Sequence, residues 1–182
     1  MLKIFLLFGV AFIISSCGVS IAEDEEHNGG IYNGEWQFGK PQGQGTYLEE
    51  HDGGVVIIYE GEWSNGRKHG QGTQVRRDGD GTILTYEGNW RNGQRNGQGL
   101  QIYERGDGTS ITHEGDFFND LMHGSGVMTV IINDGGIFKK MVYDGEFRNG
   151  VRHGSGRELL TDMDGNITGA RVGTWESDIF VE

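Results

Sequence analysis

Residues 59–72 read YEGEWSNGRKHGQG, and near-copies of this stretch recur along the chain. The copies begin at Tyr32, Tyr59, Tyr86, His113, Tyr143 and, in a decayed form, around Arg171. The steps between them are 27, 27, 27, 30 and 28 residues. A fixed period of this length is typical of a repeat protein, in which each unit buries its apolar face only by stacking on its neighbours.

The first part of each copy alternates with a period of two, which predicts a β-strand and excludes a helix. Tyr59, Gly61 and Trp63 would lie on one face of this strand, with Glu60 and Glu62 on the other. We expect the aromatic positions to pack between repeats. These positions are Tyr32, Trp36, Tyr59, Trp63, Tyr86, Trp90, Phe117, Tyr143, Phe147 and Trp175.

A tight reversal follows each strand. Asn-Gly pairs at 65–66, 92–93 and 149–150 predict type I′ hairpin turns, because both central residues of such a turn need a positive φ. The pairs at 38–39 and 119–120 are weaker variants of this signal. A second strand and a second glycine-rich turn complete each unit. The predicted fold class is therefore all-β, an elongated antiparallel meander of stacked hairpins with about a dozen strands.

Two glycines recur after each tight turn, as Gly70 and Gly72 do in the quoted copy. Without side chains, they would offer bare backbone on which the neighbouring aromatic ring can pack. The equivalent pairs are Gly43 and Gly45, Gly97 and Gly99, Gly124 and Gly126, and Gly154 and Gly156. We expect all ten glycines to serve as seats for rings.

The pattern Tyr-x-Gly-x-Trp-x-x-Gly-x-x-x-Gly-x-Gly resembles the membrane occupation and recognition nexus (MORN) repeat, over about residues 30–182. The resemblance implies an elongated antiparallel sheet that serves as a scaffold or interaction surface. It does not imply an enzyme, because catalytic members carry their chemistry in a separate domain, and we expect none here. The copies depart from the pattern at His113 and Asp120, and residues 172–176 form a last unit that we expect to lack its second strand and to cap the array.

Residues 1–16 have the short positive head and apolar run of a signal peptide. The small residues before Cys17 resemble the lipobox of bacterial lipoproteins, which implies cleavage before Cys17 and acylation of this residue. The alternatives are an ordinary secretory signal and an uncleaved anchor. Residues 17–30 are acidic and carry no strand pattern, so we expect a flexible tether before a repeat domain at 31–182.

The formal net charge of −12 opposes binding to nucleic acid and to anionic lipid headgroups. Cys17 is the only cysteine, which excludes a disulfide or a thiolate metal site in the folded part. His69, His123 and His153 occupy the position that Gln42 and Asn96 hold in other copies, so we interpret them as loop residues rather than metal ligands. We expect no cofactor and no metal, although the DGDG stretch at 78–81 leaves calcium open.

Acidic residues form two columns on the strand face opposite the rings. The members are Glu35, Glu60, Glu62, Glu87, Glu114, Asp116, Asp144 and Glu146, with Asn33 and Asn89 at the remaining places. The columns would form a solvated surface paired in part with neighbouring arginines, a docking face for a basic partner, or a carboxylate pair for glycoside hydrolysis.

The sequence as a whole predicts a scaffold or protein-interaction platform without catalysis, held on the bacterial cell envelope by its lipid. Gly18 after the cysteine favours the outer over the inner membrane. The expected partner is another protein, a basic one if the acidic columns bind it, and the oligomeric state stays open. The alternatives are a lipid-surface binding module and an envelope polysaccharide hydrolase that uses the acidic face.

Overall fold

The computed structural model describes residues 19–162 and 164–181, with the backbone alone at Asp134. Thirteen strands account for most of them. They are β1 (Val19–His27), β2 (Gly30–Gln37), β3 (Lys40–His51), β4 (Val55–Ser64), β5 (Arg67–Arg77), β6 (Ile83–Arg91), β7 (Gln94–Glu104), β8 (Ser110–Phe118), β9 (Leu121–Asp134), β10 (Ile137–Arg148), β11 (Val151–Thr161), β12 (Ile167–Glu176) and β13 (Ile179–Phe180).

The strands form one open sheet in which each strand pairs only with its neighbours in the sequence, always antiparallel. The predicted all-β meander of stacked hairpins is thus confirmed. At about 4.8 Å per strand, thirteen strands give a sheet roughly 60 Å long. Within the described residues, no helix is long and apolar enough to cross a bilayer. Residues 1–18, including Cys17, lie outside the described part.

Tight turns close one end of each hairpin. Asn65 and Gly66 have φ values of 52° and 77°, as a type I′ turn requires, and the turns at 92–93 and 149–150 repeat this geometry. The N–H of Gly66 also donates to the carbonyl of Pro41 in the preceding repeat, at 2.9 Å. Equivalent bonds join Gly93 to Lys68, Asp120 to Arg95, Gly150 to Met122 and Asp178 to Arg152. Each tight turn therefore fastens its repeat onto the one before it.

Aromatic rings pack in a continuous row on one face of the sheet. From Tyr32 to Phe180, successive rings meet edge to face with centroids 4.6 to 5.3 Å apart. Such pairs stabilise by roughly 0.5–1.5 kcal/mol each beyond the area they bury. The indole N–H groups of Trp63 and Trp90 donate to the carbonyls of Gly45 and Gly72 in the preceding repeat, at 3.2 and 3.0 Å. This row forms the core of the protein.

The predicted flexible tether at 17–30 is wrong for most of its length, because β1 occupies Val19–His27 and pairs with β2. His27 explains why an acidic segment becomes a strand. Its ring packs against Trp36 and Trp63, with centroids 6.1 and 5.8 Å away, and its Nε2 lies 2.9 Å from the carbonyl oxygen of Gly66. Strand β1 thereby covers the first end of the ring row.

The last unit also differs from its prediction, because it has a second strand, although one of only two residues. Strand β13 pairs Phe180 with Trp175, and the two rings lie 4.9 Å apart. Trp175 is fully buried as a result. This short hairpin covers the other end of the ring row, as a cap would.

Candidate functional site

The sheet has two different faces, and cross-strand register assigns each residue to one of them. We call the face that carries Tyr59 and Trp63 the aromatic face, and the face that carries Glu60 the acidic face. The ten aromatic residues that were expected to pack all lie on the aromatic face, where all but Trp36 are buried. A single-layer sheet covers neither face with another layer, so both are candidate interaction surfaces.

The second glycine of each pair seats a ring, as expected. A Cβ atom on Gly72 would lie 2.2 Å from the hydroxyl oxygen of Tyr59, and one on Gly45 equally close to that of Tyr32. The seated tyrosines keep their hydroxyl groups bonded. Tyr59 donates to the carbonyl of Glu62 at 2.9 Å, and Tyr32, Tyr86 and Tyr143 donate to the equivalent carbonyls.

The first glycine of each pair has another role, and its interpretation as a ring seat is wrong. Gly70 has a φ of 56°, a left-handed conformation, and a Cβ atom there would lie 2.4 Å from the carboxyl carbon of Glu62. The chain bulges at this point, because Glu62 alone lies opposite the three residues 69–71. Glycine is needed here for backbone geometry and for the close approach of a carboxylate.

The acids of the inner column accept backbone hydrogen bonds at this bulge. The carboxylate of Glu62 accepts a hydrogen bond from the backbone N–H of Gln71 at 2.8 Å, since the bulge removes that N–H from the ladder. Equivalent bonds run to Glu35 from Gln44, to Asp116 from Ser125 and to Glu146 from Ser155. The carboxylates of Glu35, Glu62, Asp116 and Glu146 thus each make a hydrogen bond within the fold, although Glu146 is exposed.

We expect Glu62→Ala to lower the free energy of unfolding by about 1.5 kcal/mol, because the backbone N–H of Gln71 in the bulge loses its charged acceptor. Glu60→Ala, one step along the same strand face, should change it by less than about 0.5 kcal/mol, since Glu60 is exposed. Urea unfolding followed by circular dichroism compares the two variants. Equal destabilisation by both substitutions would contradict the assignment.

The outer acidic column is open to solvent. Glu60, Glu87, Glu114 and Asp144 are all exposed. Along the cross-strand register they alternate with Thr73, Leu100, Val127 and Arg157 of the intervening strands. Arg157 lies 3.4 Å from Asp144, in an ion pair that is more than half exposed on both sides and contributes little. The outer column is thus the part of the acidic face that stays available.

Beside the outer column runs a row of aliphatic and threonine side chains that the sequence reading missed. We call it the aliphatic row. It consists of Ile31, Leu48, Ile58, Val75, Thr85, Ile102, Thr112, Thr129, Val142, Leu159 and Ala170, one from each strand of β2 to β12. Leu48 and Ile58 are 39 and 46 % exposed. The signal was present, since every leading aromatic position follows an aliphatic residue or threonine.

Three cations, Lys68, Arg95 and Arg152, lie on the aromatic face rather than beside the acidic columns. The Lys68 ammonium sits 5.1 and 5.0 Å from the ring centroids of Tyr59 and Trp90, and it donates to the side chain of Gln74. Burial lowers the pKa of Lys68 to about 8. Arg95 and Arg152 lie over the same row of rings. The aromatic face therefore carries these three cations.

Asp120, which replaces a turn glycine, is explained by one of these cations. Its carboxylate accepts from the backbone N–H of Arg95 at 3.0 Å and from the guanidinium Nε at 3.3 Å. Asp178 makes the same two bonds to Arg152, both at 3.0 Å. In both cases, an aspartate in the turn of one repeat binds an arginine of the preceding repeat.

The DGDG stretch at 78–81 is explained by local structure. Asp80 accepts from the N–H of Thr82 at 2.9 Å, and this bond holds the pKa of the carboxyl group below its usual range. A closed turn thus accounts for the DGDG stretch. In the described part of the chain, no group of three or more His, Cys, Asp and Glu side chains is arranged to hold a metal ion.

Five segments of the chain match the family model of the MORN repeat, at residues 32–48, 59–81, 86–108, 113–129 and 143–162. These segments cover more than half of the chain. The chain belongs to the MORN repeat family. No curated protein matches it. The MORN repeat suggests a protein or membrane interaction module, and the family is generally non-catalytic.

His113 is the exception among the leading positions of the MORN repeats, because it replaces a tyrosine. It is 1 % exposed and packs between Phe117 and Phe147, with centroids 5.2 and 4.6 Å away. Neither ring nitrogen makes a hydrogen bond of normal geometry. Burial lowers the pKa of His113 to about 4, against the opposing influence of Asp116. Protonation of the His113 imidazole would therefore place a charge inside the buried ring row.

We expect the protein to lose stability as the pH falls from 6.5 towards 4, because the unfolded state takes up the proton that buried His113 refuses. His113→Tyr should remove this part of the pH dependence. It should also add about 1 kcal/mol, since a tyrosine hydroxyl can donate to the carbonyl of Asp116 as it does in other repeats. Urea midpoints between pH 4 and 7 measure both effects. The control is His69→Gln at an exposed position, and an unaltered pH profile in His113→Tyr would contradict the assignment.

Proposed function

We propose that the chain is a non-catalytic scaffold of the bacterial cell envelope, a MORN platform that binds another protein and is held on a membrane by a lipid on Cys17. One observation carries the proposal. The inner carboxylates accept backbone hydrogen bonds, and Lys68, Arg95 and Arg152 lie over the ring row. The outer acidic column and the aliphatic row of the acidic face have no such role and stay open. An extended, chemically patterned surface of this kind suits binding rather than catalysis.

The position of β1 sharpens the proposed attachment. Strand β1 begins at Val19, two residues after Cys17, and two extended residues reach at most about 7 Å. The first edge of the sheet would lie next to the lipid surface, and the array would extend away from that edge. The small residue at position 18 favours the outer membrane.

A hydrolase that uses the acidic face is the less favoured alternative. Its general acid would have to be a carboxyl group that stays protonated until it reaches the substrate. The carboxylates of Glu35, Glu62 and Glu146 accept backbone N–H bonds at 2.7 to 2.9 Å. These side chains are fixed structural acceptors, so we assign them no part in catalysis.

Photo-crosslinking in the native envelope tests the interaction role. A photoreactive residue replaces Thr85 on the acidic face in one protein and Tyr103 on the aromatic face in another. A defined protein adduct from either position supports the scaffold role. Adducts with lipid alone would support the membrane-surface module, and the absence of any adduct from both faces would overturn the proposal.

The anchor has its own test. Cells that express the chain are labelled with a clickable fatty acid, and Cys17→Ser is the matched variant. Label on the wild-type chain and none on Cys17→Ser is the expected result. An unlabelled wild-type chain that is released from the membrane fraction would contradict lipidation while leaving the interaction role untouched.

A further inference from the structure

We infer that the acidic face docks a basic amphipathic helix of a partner protein, laid across strands β2 to β8. This inference rests on the proposed scaffold role and names the chemistry of its partner. The aliphatic row would receive the apolar side of the helix, and the outer acidic column would pair with its cations.

The two rows lie side by side. Ile58 and Glu60 are two residues apart on the same face of β4, so the rows are separated by about 7 Å. This separation is less than the diameter of a helix, which is about 10 Å. One helix can therefore contact both rows at once, with apolar residues on one stripe and cations on the flank beside it.

The spacing of the acids distinguishes a helix from an extended segment. Glu60, Glu87 and Glu114 stand on every second strand, about 9.6 Å apart across the sheet. Residues seven apart in a helix rise by about 10.5 Å and return to nearly the same side. In an extended segment, side chains on the same side recur at about 6.6 or 13 Å, and neither distance matches the spacing of about 9.6 Å between the acids. The column therefore matches a helix whose cations recur at every seventh residue.

A hollow lies at the first end of the proposed docking surface. It has a volume of about 430 Å³ and is lined by Ile31 and Leu48 of the aliphatic row, with Glu26 and Glu50 beside them. A lysine side chain fits this chemistry, since its stem can lie on the aliphatic residues while its ammonium group reaches a carboxylate. From this hollow at β2 to Glu114 in β8 is six strand steps, about 29 Å, or roughly 19 helical residues.

Charge argues against two other occupants. A second copy stacked face to face would bring like-charged outer columns together, and an anionic membrane would meet the same repulsion. The exposed cations Lys40, Arg67 and Arg91 lie at the tight-turn end of this face, on the far side of the inner acidic column, where they would border a cationic helix without contacting it. Arg77 also lies on this face, two residues beyond Val75 of the aliphatic row and on the side away from the outer acidic column.

A pair of designed peptides tests the inference with the full chain. The first is a helix of about 20 residues with leucines on one stripe and lysines at every seventh position beside it. The second has the same composition with the lysines redistributed around the helix. Fluorescence anisotropy should show binding of the first peptide at least about 10-fold tighter than that of the second, because only the first aligns its lysines with the column.

Two protein variants locate the binding. The triple variant Glu60→Gln, Glu87→Gln and Glu114→Gln should weaken binding of the first peptide about 10-fold. The control removes three exposed acids elsewhere, through Glu23→Gln, Asp52→Asn and Glu176→Gln, and should leave it within about 2-fold. Leu48→Thr with Ile58→Thr tests the aliphatic row and should weaken binding by a similar factor without unfolding, because threonine already stands in this row at Thr85 and Thr112.

Equal binding of both peptides, equal loss in both triple variants, or no binding of the first peptide would overturn the inference. These outcomes differ from a failure of the scaffold role. A protein adduct formed through Tyr103 on the aromatic face would retain the scaffold role and place the partner on the other face. Protein adducts through Thr85, together with the peptide result, support both.

Discussion

Trp63→Ala should lower the free energy of unfolding by about 3–5 kcal/mol, which is the usual effect of removing a buried aromatic side chain. Trp63 is 5 % exposed and lies in the ring row between Tyr32 and Tyr59, with centroids 5.1 and 5.3 Å away. Its indole N–H also bonds to the preceding repeat, at the carbonyl of Gly45. The substitution therefore weakens the contact between two units as well as the packing within one.

In a linear array the loss of one interface uncouples the units on either side of it. We expect the single unfolding transition of the wild type to broaden or divide in Trp63→Ala, as followed by circular dichroism in urea. Phe38→Ala is the control, because Phe38 is 91 % exposed at the tip of a turn. An unchanged midpoint for Trp63→Ala would refute the ring row as the core.

Gly72→Ala is expected to have the second largest effect, about 3 kcal/mol. The new Cβ atom would lie 2.2 Å from the hydroxyl oxygen and 2.5 Å from Cζ of Tyr59, so the ring must move. Overpacking of this kind costs about 1–3 kcal/mol. A displaced Tyr59 would also lose the bond from its hydroxyl to the carbonyl of Glu62, which adds about 1 kcal/mol.

Gly106→Ala is the matched control for Gly72→Ala. Gly106 lies in a turn at the other end of a hairpin, has no positive φ, and a Cβ atom there would meet no other atom within 4 Å. Its substitution should change stability by less than about 0.5 kcal/mol. If thermal melting shows the two variants to be alike, Gly72 is not a ring seat.

The repeat period and the two-residue alternation were sufficient to predict the sheet, because both are local patterns. The alternation also placed Tyr59 and Trp63 on one face correctly. Strand β1 was missed because its composition is acidic and its strand pairing depends on partners elsewhere. The Asn-Gly pair at 28–29, which closes the hairpin between β1 and β2, was the signal that could have revealed it.

The inner acids were misread for a different physical reason. Alternation treats Glu60 and Glu62 as equivalent, yet only Glu62 faces a bulge on the adjacent strand. A bulge arises from pairing between strands, and the pattern of a single strand does not contain it. The same limit applies to Lys68 and Arg95, since a charged residue after a turn reads as solvent-facing until the rings beneath it are known.

The bond from each tight turn to the repeat before it gives the array a direction. Five tight turns each donate a backbone hydrogen bond to the preceding repeat, and Asp120 and Asp178 bind arginines that lie 25 and 26 residues earlier. The repeats are therefore not interchangeable, since a copy inserted between Arg95 and Asp120 would break the bonds between these two side chains.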